Sequence, residues 1–112
     1  RHSDFQNQHN IATNTTNEYG NSPLHMVCTW KDCSAALELI EEGADVNCIG
    51  EGGLTPLHWA IQEEDADTVQ LLLVNGAKNI ADEWGITPLQ LAKNLRLGHI
   101  SDLLSNCLSF KI

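Results

Sequence analysis

The sequence predicts an all-α solenoid, a stack of helix-turn-helix units joined by β-turn or hairpin-like connections. Three recurrences carry that prediction. Ser22-Pro23-Leu24-His25 returns as Thr55-Pro56-Leu57-His58 and as Thr87-Pro88-Leu89-Gln90, with prolines 33 and then 32 residues apart. Gly43-Ala44-Asp45-Val46-Asn47 returns 33 residues later as Gly76-Ala77-Lys78-Asn79-Ile80. Gly20, Gly53 and Gly85 each stand three residues before a proline. Phrases kept in step at such a period mark a repeat architecture.

Each element has a local cause. Ser22, Thr55 and Thr87 are N-cap residues, whose hydroxyl can accept from an orphan amide of the first turn. The proline that follows each one sits at the first helical position, where its missing N–H costs nothing. A short apolar helix is then predicted from Leu24, Val27 and Cys28, from Leu57, Ala60 and Ile61, and from Leu89 and Ala92. Polar breaks follow at Lys31-Asp32, at Glu64-Asp65 and from Arg96 to Gly98. A second helix follows each break, with apolar residues at helical spacing. Its stripe is Ala35, Ala36, Leu39 and Ile40, then Val69, Leu72 and Leu73, then Ile100, Leu103 and Leu104. Gly43 and Gly76 stop the first two of these helices, as glycine does past a C-terminus. Segments 44–54 and 77–86 are rich in Gly, Asn and Asp and read as turns. No single helix here can bury its stripe alone, so neighbouring units must share one interior. Ala60 and Ala92 are small where paired helices approach closely.

Thr55-Pro56-Leu57-His58-Trp59-Ala60, with Gly43-Ala44-Asp45-Val46-Asn47 and Gly98-His99, resembles the ankyrin repeat, known by its period and its T-P-L-H-x-A phrase. The resemblance covers roughly residues 17–107. It implies an ankyrin-repeat solenoid with repeats at 17–49 and 50–81, and a third at 82–112 that is similar to a C-terminal cap. Departures are Ser22 for Thr, Val27 for Ala, Gln90 for His, and one residue fewer before the third proline. Residues 1–16 read either as a disordered Asn-rich leader or as the remnant of a preceding repeat, and the leader is the preferred reading. In this family the histidine of the phrase is a structural element that hydrogen-bonds the turn and helix start. That role is expected of His25 and His58 in place of catalysis or metal binding.

Composition narrows the function. The 112 residues carry 15 carboxylates against 6 Lys and Arg, a net charge of −9. Nucleic-acid binding needs clustered cations, so nucleic acid is not an expected ligand. Anionic membrane surfaces are disfavoured for the same reason. A protein partner with a basic patch is favoured through faster encounter and discrimination. Cys28, Cys33, Cys48 and Cys107 read as reduced thiols of a cytoplasmic protein, although spacing alone leaves a disulfide open. No apolar run is long enough to span a bilayer. Cys28-x4-Cys33 and Cys48 with His58 lack the paired spacing of a zinc site, so no metal is expected. Gly50-Glu51-Gly52-Gly53 lacks the Lys-Ser/Thr of a phosphate loop and reads as a tight turn. No nucleophile motif or cofactor motif is present, so the chain is expected to be a non-enzyme without a cofactor; a monomer is also expected.

The resemblance implies that a partner meets the turn tips and the exposed side of the first helix. Repeat phase places Glu18, Tyr19, Glu51, Gly52, Glu83 and Trp84 just before the tip glycines. Asn21, Leu54 and Ile86 come just after them. Thr29, Trp30, Gln62 and Glu63 end the first helices. The expected binding set is Glu18, Tyr19, Asn21, Trp30, Glu51, Leu54, Gln62, Glu63, Glu83, Trp84 and Ile86, with aromatic anchors inside an acidic rim. Trp59 is expected to fill an inter-repeat gap. The leading expectation is a protein-binding module acting through its concave face. The alternatives are an acidic inhibitor or immunity-type protein that blocks a basic enzyme or toxin, and one domain of a larger enzyme.

Overall fold

The computed structural model describes Thr16 and residues 20–109. The leader assigned to residues 1–16 thus lies outside the described residues but for Thr16, as do Glu18 and Tyr19. Among the described residues there are six α-helices and no strand. They are α1 (Pro23–Thr29), α2 (Cys33–Glu41), α3 (Pro56–Gln62), α4 (Ala66–Val74), α5 (Pro88–Asn94) and α6 (Gly98–Ser109), with a 3-10 turn at Glu51–Gly53.

The helices form two layers. Within each unit α1 packs on α2, α3 on α4 and α5 on α6. Along the stack the first helices α1, α3 and α5 touch in series, and so do the second helices α2, α4 and α6. The body is elongated, 43 × 26 × 25 Å.

The starts of the first helices follow the predicted chemistry. The Ser22, Thr55 and Thr87 hydroxyls accept from the amides of His25, His58 and Gln90. The second helices α2 and α4 open on carboxylate caps, Asp32 accepting from Ala35 and Asp65 from Thr68. Leu24, Cys28, Ala36, Leu57, Ala60, Ile61, Val69, Leu72, Ala92 and Leu104 are fully buried, and each lies on a stripe read from the sequence. Burial of this set, at roughly 25 cal/mol per Å² of apolar surface, is the main force holding the layers together.

Each turn between the two helices of a unit uses a left-handed residue that is not glycine: Lys31 at φ 59°, Glu64 at φ 58° and Arg96 at φ 61°. The chain then reverses within two residues, with amide bonds such as Asp65 N–H to the Ala60 carbonyl at 3.1 Å. The hairpin-like connections close differently. Gly50 donates to the Leu54 carbonyl and Asp82 to the Ile86 carbonyl, each at 2.9 Å. Gly53 takes φ 77°, and a Cβ there would stand 2.7 Å from the Glu83 amide nitrogen. Glycine is therefore required at this tip both for its backbone angle and for the approach of the next hairpin.

Candidate binding surface

The two edges of the stack are built by different means. At the hairpin edge, hydrogen bonds join each unit to the next. His25 Nδ1 lies 3.0 Å from the Ser22 amide, which can only donate, so Nδ1 accepts and the proton rests on Nε2. Nε2 then donates to the Leu54 carbonyl of the following hairpin at 2.9 Å. Thr55, His58 and the Ile86 carbonyl repeat the arrangement one unit on. Burial holds His25 below its ordinary pKa of 6.5, and the positive form of His58 acts in the same sense. The Leu54 and Cys48 carbonyls oppose that shift. The structural role implied for these histidines by the resemblance is the one seen. In the third unit Gln90 replaces histidine and its amide donates to Asn94 of its own helix at 2.9 Å.

Further bonds stitch the tips. The Glu51 amide donates to Asn21 Oδ1 and the Glu83 amide to the Gly52 carbonyl, both at 3.0 Å. Asn47 donates to the Gly76 carbonyl at 3.1 Å and accepts from the Lys78 amide at 2.8 Å. Asp82 Oδ1 accepts from the amides of Trp84 and Ile86 at 2.9 Å, a side-chain turn that presents the tryptophan. The Trp84 ring lies beside Gly52, with two ring carbons 3.2 and 3.4 Å from where a Cβ would stand. Yet Trp84 is 71% exposed.

The predicted set divides accordingly. Glu51, Leu54, Glu83, Trp84 and Ile86 gather at the hairpin edge, where Glu51, Glu83 and Trp84 are exposed and Leu54 and Ile86 are half-buried. Asn21 does not present its side chain: it is 8% exposed, because its Oδ1 is turned onto the Glu51 amide. Trp30, Gln62 and Glu63 stand at the far end of the first helices, which for seven residues is about 10 Å away. Trp59 is half-buried against the core, and its indole N–H is buried with no acceptor among the described residues. Two contributors were missed by sequence reasoning. Asp82 could have been found from the Asp-x-Trp-Gly turn pattern; the seat that Gly52 offers Trp84 has no sequence signal.

Burial first, then Asp65 and Cys33, push the Cys28 thiol up to about 12, so it stays protonated. All four cysteines are free thiols. Among the described residues no three His, Cys, Asp or Glu side chains converge to hold a metal ion, and no helix is long and apolar enough to cross a membrane. Charge is uneven along the stack. Residues 17–49 carry six carboxylates (Glu18, Asp32, Glu38, Glu41, Glu42 and Asp45) against Lys31. Residues 50–81 carry five (Glu51, Glu63, Glu64, Asp65 and Asp67) against Lys78. Residues 82–112 balance Asp82, Glu83 and Asp102 with Lys93, Arg96 and Lys111.

The family pattern described as ankyrin repeats (3 copies) matches residues 5–82 and 24–107. The chain is 36% identical over 94 residues to the Neurogenic locus Notch protein of Drosophila melanogaster, 81% of this chain and 4% of that protein. It is 35% identical over 107 residues to the Neurogenic locus notch homolog protein 1 of Cricetulus griseus and 34% to that of Homo sapiens, in each case 93% of this chain. The chain spans only 4% of the length of these relatives.

Proposed function

The chain belongs to the ankyrin-repeat family, and from that premise we propose that it is a non-catalytic module that binds another protein through its hairpin tips and the adjoining side of its first helices. Ankyrin repeats generally mediate protein–protein interaction, which supports the coarse reading. The observation that carries the finer one is Trp84, its backbone amide held by Asp82, its ring seated beside Gly52 and still 71% exposed. An aromatic on a fixed backbone gives large contact area at little entropic cost, and Glu83 and Glu51 beside it form a polar rim. The partner surface is basic, because the first two repeats carry the whole net charge of −9. The module acts as a monomer in the cytoplasm, a reading its four free thiols support.

Affinity purification from the native source followed by titration tests this. Trp84→Ala with Glu83→Ala weakens binding of the captured partner by about 2 kcal/mol or more, with an unchanged unfolding midpoint. Unchanged affinity would move the contact off this face. The same purification separates the module from an inhibitor of a basic enzyme, the reading that net acidity also favours. In that case one hydrolase or nuclease is captured and its activity is lost on binding.

A further inference from the structure

The opposite edge of the stack is made of the three turns between first and second helices, and its side chains form an ordered pattern. The turns are conformational equivalents. Trp30, Glu63 and Leu95 are the C-caps of α1, α3 and α5, with φ of −86°, −84° and −85°. Lys31, Glu64 and Arg96 follow in the left-handed region. Because α1, α3 and α5 touch in series, the three pairs lie side by side. The edge therefore runs Trp30-Lys31, then Glu63-Glu64, then Leu95-Arg96. Trp30 is 64% exposed and Leu95 45%. Lys31, Glu64 and Arg96 are exposed and Glu63 is half-buried. Asp65, next to the central pair, is turned inward to cap α4 through Thr68. No hydrogen bond among the described residues crosses between units at this edge or engages the carboxylates of Glu63 and Glu64.

We propose that this turn edge is a second protein-binding surface, taking a basic segment of a partner whose cations meet Glu63 and Glu64 and whose flanking apolar side chains cover Trp30 and Leu95. The inference goes beyond the hairpin-edge reading and does not need it. Charge selects the occupant. Two carboxylates form the centre of the edge and the cations Lys31 and Arg96 stand only at its two ends, on a body of net charge −9, so a segment whose cations lie centrally is attracted and a second copy of this chain is repelled. Geometry sets its length. Helices in contact lie about 8–10 Å apart, so Trp30 to Leu95 spans about 16–20 Å. An extended segment rises about 3.3 Å per residue and shows alternate residues on one face. Seven residues with apolar, cationic, cationic and apolar side chains on one face match that span.

The test uses the whole chain and the labelled peptide Leu-Ser-Arg-Ser-Arg-Ser-Leu, followed by fluorescence anisotropy near 0.15 M salt. The parent binds saturably. Glu63→Gln with Glu64→Gln weakens binding at least fivefold, Trp30→Ala does likewise, and Leu37→Ala, exposed on α2, leaves it unchanged. Replacing the peptide's leucines by glycine also weakens it. Circular dichroism checks that the variants are folded, and two independent substitutions guard against one that is not. No saturable binding, loss with Trp84→Ala while the Glu63/Glu64 variant still binds, or equal binding of the glycine peptide overturns the proposal. So does a concentration-dependent dimer in sedimentation that Glu64→Gln abolishes, since the edge would then be a contact between copies of the chain.

Discussion

The hairpin edge and the turn edge solve the same problem in different ways. At the hairpin edge, neighbouring units exchange directed bonds: His25 to Leu54, His58 to Ile86, Glu83 to Gly52 and Asn47 to Gly76. At the turn edge each bond among the described residues stays within its own unit, as in Asp32 N–H to Val27 or Leu97 N–H to Ala92. There, among the described residues, the units are joined only by the apolar interior beneath them. Directed bonds fix register and angle, whereas packing fixes distance and tolerates sliding. A stack tied along one margin and packed along the other has hairpin tips held by directed bonds and a turn margin with exposed side chains.

The largest test of this contrast removes the shared packing. Ile61 is fully buried beneath both edges, and Ile61→Ala is expected to lower stability by about 2–5 kcal/mol. Denaturant unfolding measures it, and a loss under about 1 kcal/mol would mean that α3 is not central to the interior. His58→Ala breaks the hairpin edge alone. It orphans the Thr55 amide and the Ile86 carbonyl, at about 1–3 kcal/mol. Amide exchange should quicken at the 82–86 hairpin before it does at the Arg96 turn; uniform quickening would show that the bond is not local to its edge.

Acid probes the same edge more gently. His25 is held below its ordinary 6.5 by burial, so the unfolded chain takes up the proton more readily than the folded one. The stability it contributes is complete above pH 6.5 and declines as pH falls through 6.5 toward the folded value. The geometry agrees, because a second ring proton would face the Ser22 amide. The urea midpoint should therefore drop between pH 7.5 and 5.5, and His25→Gln should flatten that drop. A midpoint independent of pH in the parent would contradict the assigned proton state.

The fold was legible because its determinants are local or periodic. Caps Ser22, Thr55 and Thr87, the prolines after them and the apolar stripes name the helices without reference to the third dimension. The surface was less legible because it depends on where neighbours aim their polar atoms. Asn21 reads as an outward polar residue until the Glu51 amide is placed against it. Repeat phase groups Trp30 with Trp84, while in space they stand on opposite edges of the stack and in different units. Leu95 carries no sequence signal of its own, and only its cap position shows that it lines an edge with Trp30 and Glu63.

The smallest expected effect bears on both edges at once. Glu64 occupies the left-handed region at φ 58°, which costs an ordinary residue roughly 1–2 kcal/mol relative to glycine. Glycine gives back about 0.5–1 kcal/mol of that through greater freedom in the unfolded chain. Glu64→Gly should therefore stabilise the protein by about 0.5–1 kcal/mol. Among the described residues its carboxylate has no partner that the fold would lose. If the turn edge were mere connection, nothing else would change. If it binds a basic segment, the same substitution raises the unfolding midpoint while weakening the arginine peptide, the opposition expected where a strained position is kept for recognition. A variant that gains stability and binds the peptide as well as the parent would leave the left-handed glutamate a matter of backbone alone and confine recognition to the hairpin tips.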